Sequence, residues 1–260
     1  MGRLASAMFH IALRFAALIV AALPLPALAC SVADGYRVPT NLELAQDAEL
    51  ILLGKVMGVE SGKEGVPQSH ALLVQPLSAI KGELPAGMVK LPGIGLLADP
   101  RFLALSNPYD LIDAHPLSYI GGCIRYMFPQ GSTVLFFLKP GQTAGSWAPS
   151  GGPFSRWAED VPADGGPWTT LSAIYARAGT LPAADREALL ESEHAALSAR
   201  TDDPVALLMA ADIARQIAGP NEEWNTQLDR ARERDDGAGE GAAESTVDTT
   251  LDAMRRSEGK

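Results

Sequence analysis

Ala48-Glu49-Leu50-Ile51-Leu52-Leu53-Gly54-Lys55-Val56 is the stretch on which the fold turns. It is an apolar run of strand length, and Gly54 inside it marks a bulge or a close approach of a neighbour. Working outward, Asn41 to Gln46 reads as one helical turn leading into this strand. His70 to Ile80 is a second strand, and Pro76 implies an edge or a bend in it. Gly87 to Leu91 is a third. Residues 93–122 are irregular. Ser132 to Lys139 is mostly apolar, as expected of a central strand, and Trp147 sits on a last short strand near residues 144–149. Five or so short strands without long intervening helices predict a small barrel or sandwich.

After residue 150 the composition changes to Ala, Leu, Glu and Arg at helical spacing. Pro167 to Gly179 predicts a helix, Pro182 to Ala199 a second, and Asp203-Pro204 the start of a third that ends at Gly219. A fourth runs from Asn221 to about Arg234. Residues 235–260 are rich in Gly, Ala, Ser and acids, and read as a disordered acidic tail. The fold class is therefore α+β. Residues 30–150 form a β domain and residues 151–234 a helical region. Trp147, Trp157 and Trp168 fall at the junction, where they are expected to join the two parts.

The N-terminus reads as an export signal over residues 1–29. Arg3 and Arg14 supply positive charge, Phe15 to Leu23 the apolar segment, and Ala27-Leu28-Ala29 the small-residue cleavage site. This apolar segment is too short to span a bilayer as a finished helix, so no transmembrane segment is expected in the mature chain. The mature protein then begins at Cys30, with Cys123 as the only other cysteine. In an oxidising compartment these two most simply form one disulfide, worth on the order of 4–5 kcal/mol for a loop of about 90 residues. Unpaired thiols and lipidation of Cys30 are the alternatives. The formal charge of -10, with no basic stripe, argues against nucleic acid as a partner.

Residues 30–150 resemble the netrin-like domain shared with the tissue inhibitors of metalloproteinases, an OB-type barrel. The matching features are the leading Cys30, the Ala48–Val56 strand, the Ile80-Lys81-Gly82 turn, and Gly122-Cys123 followed by Phe128 to Gly131 and Val134 to Phe137. The resemblance implies an OB-like barrel and a binding edge at Cys30, Ser31 and Val32, through which the inhibitors of that family cap a catalytic zinc. Those inhibitors begin Cys-x-Cys and carry several disulfides, whereas Val32 stands at the second cysteine position here.

Candidate catalytic chemistry is sparse. Asp110, Asp113 and His115 have a spacing that would suit metal ligands, but His70 would have to reach them through the fold. Acid-rich loops with one histidine ordinarily face solvent, so no metal is assigned. There is no nucleophile elbow, phosphate loop or dinucleotide fingerprint. No catalytic residue and no cofactor is expected. The expectation is an exported, periplasmic or extracellular, non-catalytic binding protein whose partner is a protein or cell-envelope component. The rivals are a metalloprotease inhibitor acting through Cys30, a Cys30-anchored lipoprotein, and an enzyme using Asp110, Asp113 and His115.

Overall fold

The apolar run at Ala48 becomes strand β1 (Leu50–Glu60) in a computed structural model. The structure describes residues 32–62, 69–97, 107–119 and 122–237. The signal segment, Cys30, Ser31 and residues 238–260 of the acidic tail lie outside the described residues. Before β1 comes α1 (Asn41–Asp47). After it come β2 (Ala71–Lys81), β3 (Val89–Pro92), β4 (Gly95–Leu97), β5 (Met127–Pro129), β6 (Thr133–Pro140), β7 (Trp147–Pro149) and β8 (Ala158–Asp160). The helices α2 (Gly166–Gly179), α3 (Ala183–Ser198), α4 (Pro204–Ala218) and α5 (Trp224–Gly237) follow. The protein is thus mixed α+β.

The main sheet is antiparallel in the order β3-β2-β1-β6, and β7 and β8 share the far edge of β6. β4 and β5 form a separate parallel pair, with β4 inside the stretch 93–122 expected to be irregular and β5 just after it. Among the described residues no ladder joins β3 to β7 or β8, so the hydrogen bonds do not close a barrel. β8 falls inside residues 151–234, which were expected to be helical, and helix begins only at Gly166.

Strand parity explains the continuous apolar runs. Leu50, Leu52 and Val56 of β1 and Val134, Phe136 and Leu138 of β6 point to one face, where they meet Leu72, Val74, Val89, Leu91, Phe128 and Trp157. Ile51, Leu53, Leu135 and Phe137 point the other way, into a second core with Leu44, Trp168, Leu171, Tyr175 and Ile213. Both faces of β1 and β6 are therefore buried, which requires unbroken hydrophobicity rather than alternation. The expected tryptophan junction divides along the same line. Trp157 packs against Phe128 and Phe136 in the first core, and Trp168 against Phe137 in the second. The sheet lies between them.

Local signals account for the element ends. Thr40 Oγ1 accepts the Glu43 N–H at 3.2 Å, and Glu43 Oε2 accepts the Thr40 N–H at 2.9 Å, a capping box that starts α1. Lys81 Nζ donates to the Ala45 and Gln46 carbonyls at 3.0 and 2.8 Å, closing the end of α1. Gly82 turns at φ +81°, where a Cβ would lie 2.5 Å from the Glu49 carbonyl oxygen. The Lys-Gly pair at the end of β2 thus has a separate task for each residue. Pro76 falls beyond the Ala71–Val74 segment that pairs with β3, on an unpaired outer edge of β2. Asp203 caps α4 by accepting from the Val205 and Ala206 N–H groups, both at 3.0 Å.

Gly54 lies at a register shift between β1 and β2, opposite Pro76. A Cβ there would sit 2.4 Å from Val74 Cγ1 and 3.5 Å from the Phe136 ring. Gly54→Ala is therefore expected to lower stability by about 1–3 kcal/mol through overpacking, read as a lower urea midpoint with an unchanged slope.

Candidate functional site

The residues singled out in the sequence near position 110 form a braced loop, Asn107–Tyr119. Asp110 Oδ1 accepts the Ile112 and Asp113 N–H groups at 2.9 and 3.1 Å, a short Asx turn. Two carbonyls of the turn are then held from below. Arg156 Nη2 donates to the Asp110 oxygen at 2.5 Å. Asn41 Nδ2 and Arg215 Nη2 donate to the Leu111 oxygen at 2.9 and 3.2 Å. The Leu111 side chain is buried in the helical core. The loop ends in a 3-10 turn, Pro116–Tyr119. With its backbone fixed in this way, the loop turns Tyr109, Ile112 and Tyr119 outward at 49, 65 and 45% exposure.

Beneath the loop lies a buried charge cluster carried mostly by β8 and the residues leading into it. Arg125 is fully buried and grips Asp160 with Nη2 2.9 Å from each carboxylate oxygen, while Nη1 reaches the Ala158 carbonyl at 3.2 Å. His115 Nδ1 accepts the Leu117 N–H at 3.1 Å. That leaves the ring proton on Nε2, which faces Asp160 Oδ2 at 3.1 Å. Burial pushes the His115 pKa down, partly opposed by Asp160. Asp160 is held below the ordinary carboxylate range because His115 and Arg125 together outweigh its burial. Glu159 Oε1 accepts the His115 backbone N–H at 3.0 Å, and Oε2 lies 3.8 Å from Arg156. Burial raises the Glu159 carboxyl to about 7, with Arg156 and Arg125 pulling the other way.

The sign of the Glu159 effect follows from that raised value. Ionisation is harder in the folded chain than in the unfolded one. The stability this group confers is complete below about pH 4.5 and is lost as pH rises toward 7. Glu159→Gln is expected to remove this dependence. The wild-type unfolding free energy should fall relative to the variant by on the order of 2–3 kcal/mol between pH 4.5 and 8, measured by urea denaturation at each pH.

His115 Nδ1 accepts from the Leu117 N–H, and Nε2 lies 3.1 Å from Asp160 Oδ2. His115 was expected in a solvent-facing loop. It is only 2% exposed, because the turn after Ala114 folds it against β8. Asp110 is spent on its own turn, and Asp113 is exposed. Partial burial and the neighbouring Asp110 hold the Asp113 carboxyl above its ordinary range, despite Arg156 and Arg215. His70 lies at the start of β2 beside Gly95. Among the described residues no group of three or more His, Cys, Asp and Glu is placed to hold a metal ion.

Of the expected binding edge, Cys30 and Ser31 lie outside the described residues, and with them the expected Cys30–Cys123 pairing. Val32 is half-buried. Cys123 adopts φ +57°, and its carbonyl accepts the Phe154 N–H at 2.6 Å. Phe154 also has φ +57° and stacks on Tyr119 and Trp224 at ring distances of 5.4 and 4.1 Å. No helix among the described residues is long and apolar enough to cross a membrane.

Next to Tyr109 a groove of about 380 Å³ opens between α2 and α4. Pro162, Pro167, Val205 and Met209 supply its apolar surface, and Tyr109 and Asp164 its polar rim. Sequence reading missed Arg125, Arg156, Glu159, Asp160 and Asp164. The one available signal was the Arg156-Trp157-Ala158-Glu159-Asp160 run, in which charge is interleaved with residues that belong in a core. No family model matches the chain, and no curated protein and no solved structure is significantly similar to it.

Proposed function

We propose that this is an exported, non-catalytic binding protein of the cell envelope, acting through the Asn107–Tyr119 loop. The observation that carries the reading is a braced backbone combined with outward apolar side chains. The Asp110 and Leu111 carbonyls are tied to Arg156, Asn41 and Arg215, while Ile112 is 65% exposed. A loop already fixed in one conformation loses little entropy when it docks. Tyrosines and an aliphatic residue on such a loop are typical interface anchors. Export is supported by the segment 1–29. The OB-like, netrin-type reading of the sheet is supported by the ordered resemblance of residues 30–150, with Cys30–Cys123 as its staple.

The test places a photo-reactive amino acid at Ile112 in the exporting cell, and at exposed Leu84 as a control. One discrete crosslinked protein at position 112, lost in Tyr109→Ala and absent at position 84, is the expected result. Equal or absent crosslinking at the two positions would count against the loop. The intact mass of the recovered protein tests the terminus. A chain starting at unmodified Cys30 that gains about two daltons on reduction supports the disulfide, and added acyl mass would make it a lipoprotein.

A further inference from the structure

We infer that the groove beside Tyr109 receives a lysine or arginine side chain of the protein that docks on the Asn107–Tyr119 loop. Its alkyl stem would lie on Pro162, Pro167, Val205 and Met209, and its cation at Asp164. This rests on the proposed binding role of the loop and specifies the partner's chemistry.

Three observations lead to a cation. The first is size: at about 380 Å³ the groove is at the small end for ligand sites, enough for one long side chain and its immediate neighbours. The second is its surface. Its lining is mixed, with proline, valine and methionine side chains alongside an exposed carboxylate, which matches a side chain that lays its methylenes on the first and brings its charge to the second. The third is the local charge. Among the described residues Asp164 makes no ion pair. The arginines closest to the loop donate inward, Arg156 to the Asp110 carbonyl and Arg215 to Asp212 and the Leu111 carbonyl. Asp164 is thus the one carboxylate in the groove lining, it has no ion-pair partner among the described residues, and the chain carries -10 overall. An acidic side chain would meet a like charge at that carboxylate, and a wholly apolar one would gain nothing from it.

The test uses the full exported chain, observing the Met209 methyl and the Thr170 amide by NMR. The probes are the peptide Ac-Ala-Leu-Lys-Leu-Ala-amide, its glutamate and norleucine counterparts, and n-butylammonium. The lysine peptide should give saturable shifts at both reporters and bind about two- to fivefold more tightly than the norleucine peptide, the size of one exposed ion pair. Asp164→Asn should erase that preference, and n-butylammonium should bind at least about tenfold more weakly than the lysine peptide, lacking the flanking contacts. Equal binding of the three peptides, or a lysine preference that survives Asp164→Asn, would overturn the inference. So would n-butylammonium binding as tightly as the peptide, which would make this a small-amine site. A discrete Ile112 crosslink alongside any of those results would leave the binding role standing and remove only the cation.

Discussion

Arg125→Ala is expected to lower the unfolding free energy by about 3–5 kcal/mol, the range for breaking a buried ion pair by removing one partner. Arg125 is fully buried, grips both oxygens of Asp160, and lies over the Phe128 ring with its Cζ 4.2 Å from the centroid. Without it Asp160 keeps, among the described residues, the neutral His115 ring 3.1 Å away and no cation in contact. The pH dependence identifies the cause. Asp160 has a lowered folded pKa, so its contribution is present above the ordinary carboxylate range and is lost as pH falls through the folded value. The variant should lose that contribution, so its deficit relative to wild type should be largest at neutral pH and shrink toward pH 3. Arg125→Met separates charge from volume. It fills the space yet leaves the carboxylate unpaired, so it should recover little; recovery of most of the loss would show that packing, not the pair, is the source. Arg125→Lys keeps the charge without the fork and should fall between them. Urea denaturation of the wild type and the three variants at pH 7 and pH 3 decides between these outcomes.

The central strands were legible because both faces of β1 and β6 are buried, and a doubly buried strand writes itself as an unbroken apolar run. The α4 start at Asp203-Pro204 was legible for the same local reason, since a cap acts on its immediate neighbours. β4, β5 and β8 were not. Each is three residues long and is held by partners distant in sequence, such as Ala158 opposite Phe136. No local period can develop over three residues. The division into a barrel and a helical region followed composition, but composition does not say what a helix packs on. Trp168, Leu171 and Ile213 share one core with Ile51 and Phe137.

The site was half legible. Asp110, Asp113 and His115 drew attention as potential ligands, and the structure gives them three different tasks. Asp110 makes the turn, Asp113 faces outward, and His115 is buried against Asp160. The residues that brace the loop come from more than 100 positions away in the case of Arg215, and their pairing depends on the topology. An arginine in the sequence reads as surface until the fold shows that its guanidinium is enclosed.

Asp212→Ala is the second large effect, a loss of about 3–5 kcal/mol. Asp212 is fully buried in α4 and accepts from three elements. Tyr175 Oη of α2 donates at 2.5 Å, Asn41 Nδ2 of α1 at 3.0 Å, and Arg215 Nη2 of its own helix at 2.5 Å. Burial and the adjacent carboxylate push the Tyr175 hydroxyl far up, so it remains a donor at every working pH. Truncation leaves that buried hydroxyl unpaired and removes the counter-charge of Arg215. Tyr175→Phe removes one donor only and should cost about 1–2 kcal/mol. The two residues share a hydrogen bond, so the double variant should lose less than the sum of the singles by about 1 kcal/mol or more. The effect should also reach the loop. Asn41 and Arg215, which Asp212 orients, are the donors that hold the Leu111 carbonyl. In Asp212→Ala the Ile112 and Asp113 amides should therefore exchange hydrogen faster than wild type beyond what global destabilisation explains. Unchanged exchange there would mean that the Asp110 turn and Arg156 suffice to hold the loop. Faster exchange would tie the helix-docking network directly to the surface through which the protein is proposed to bind.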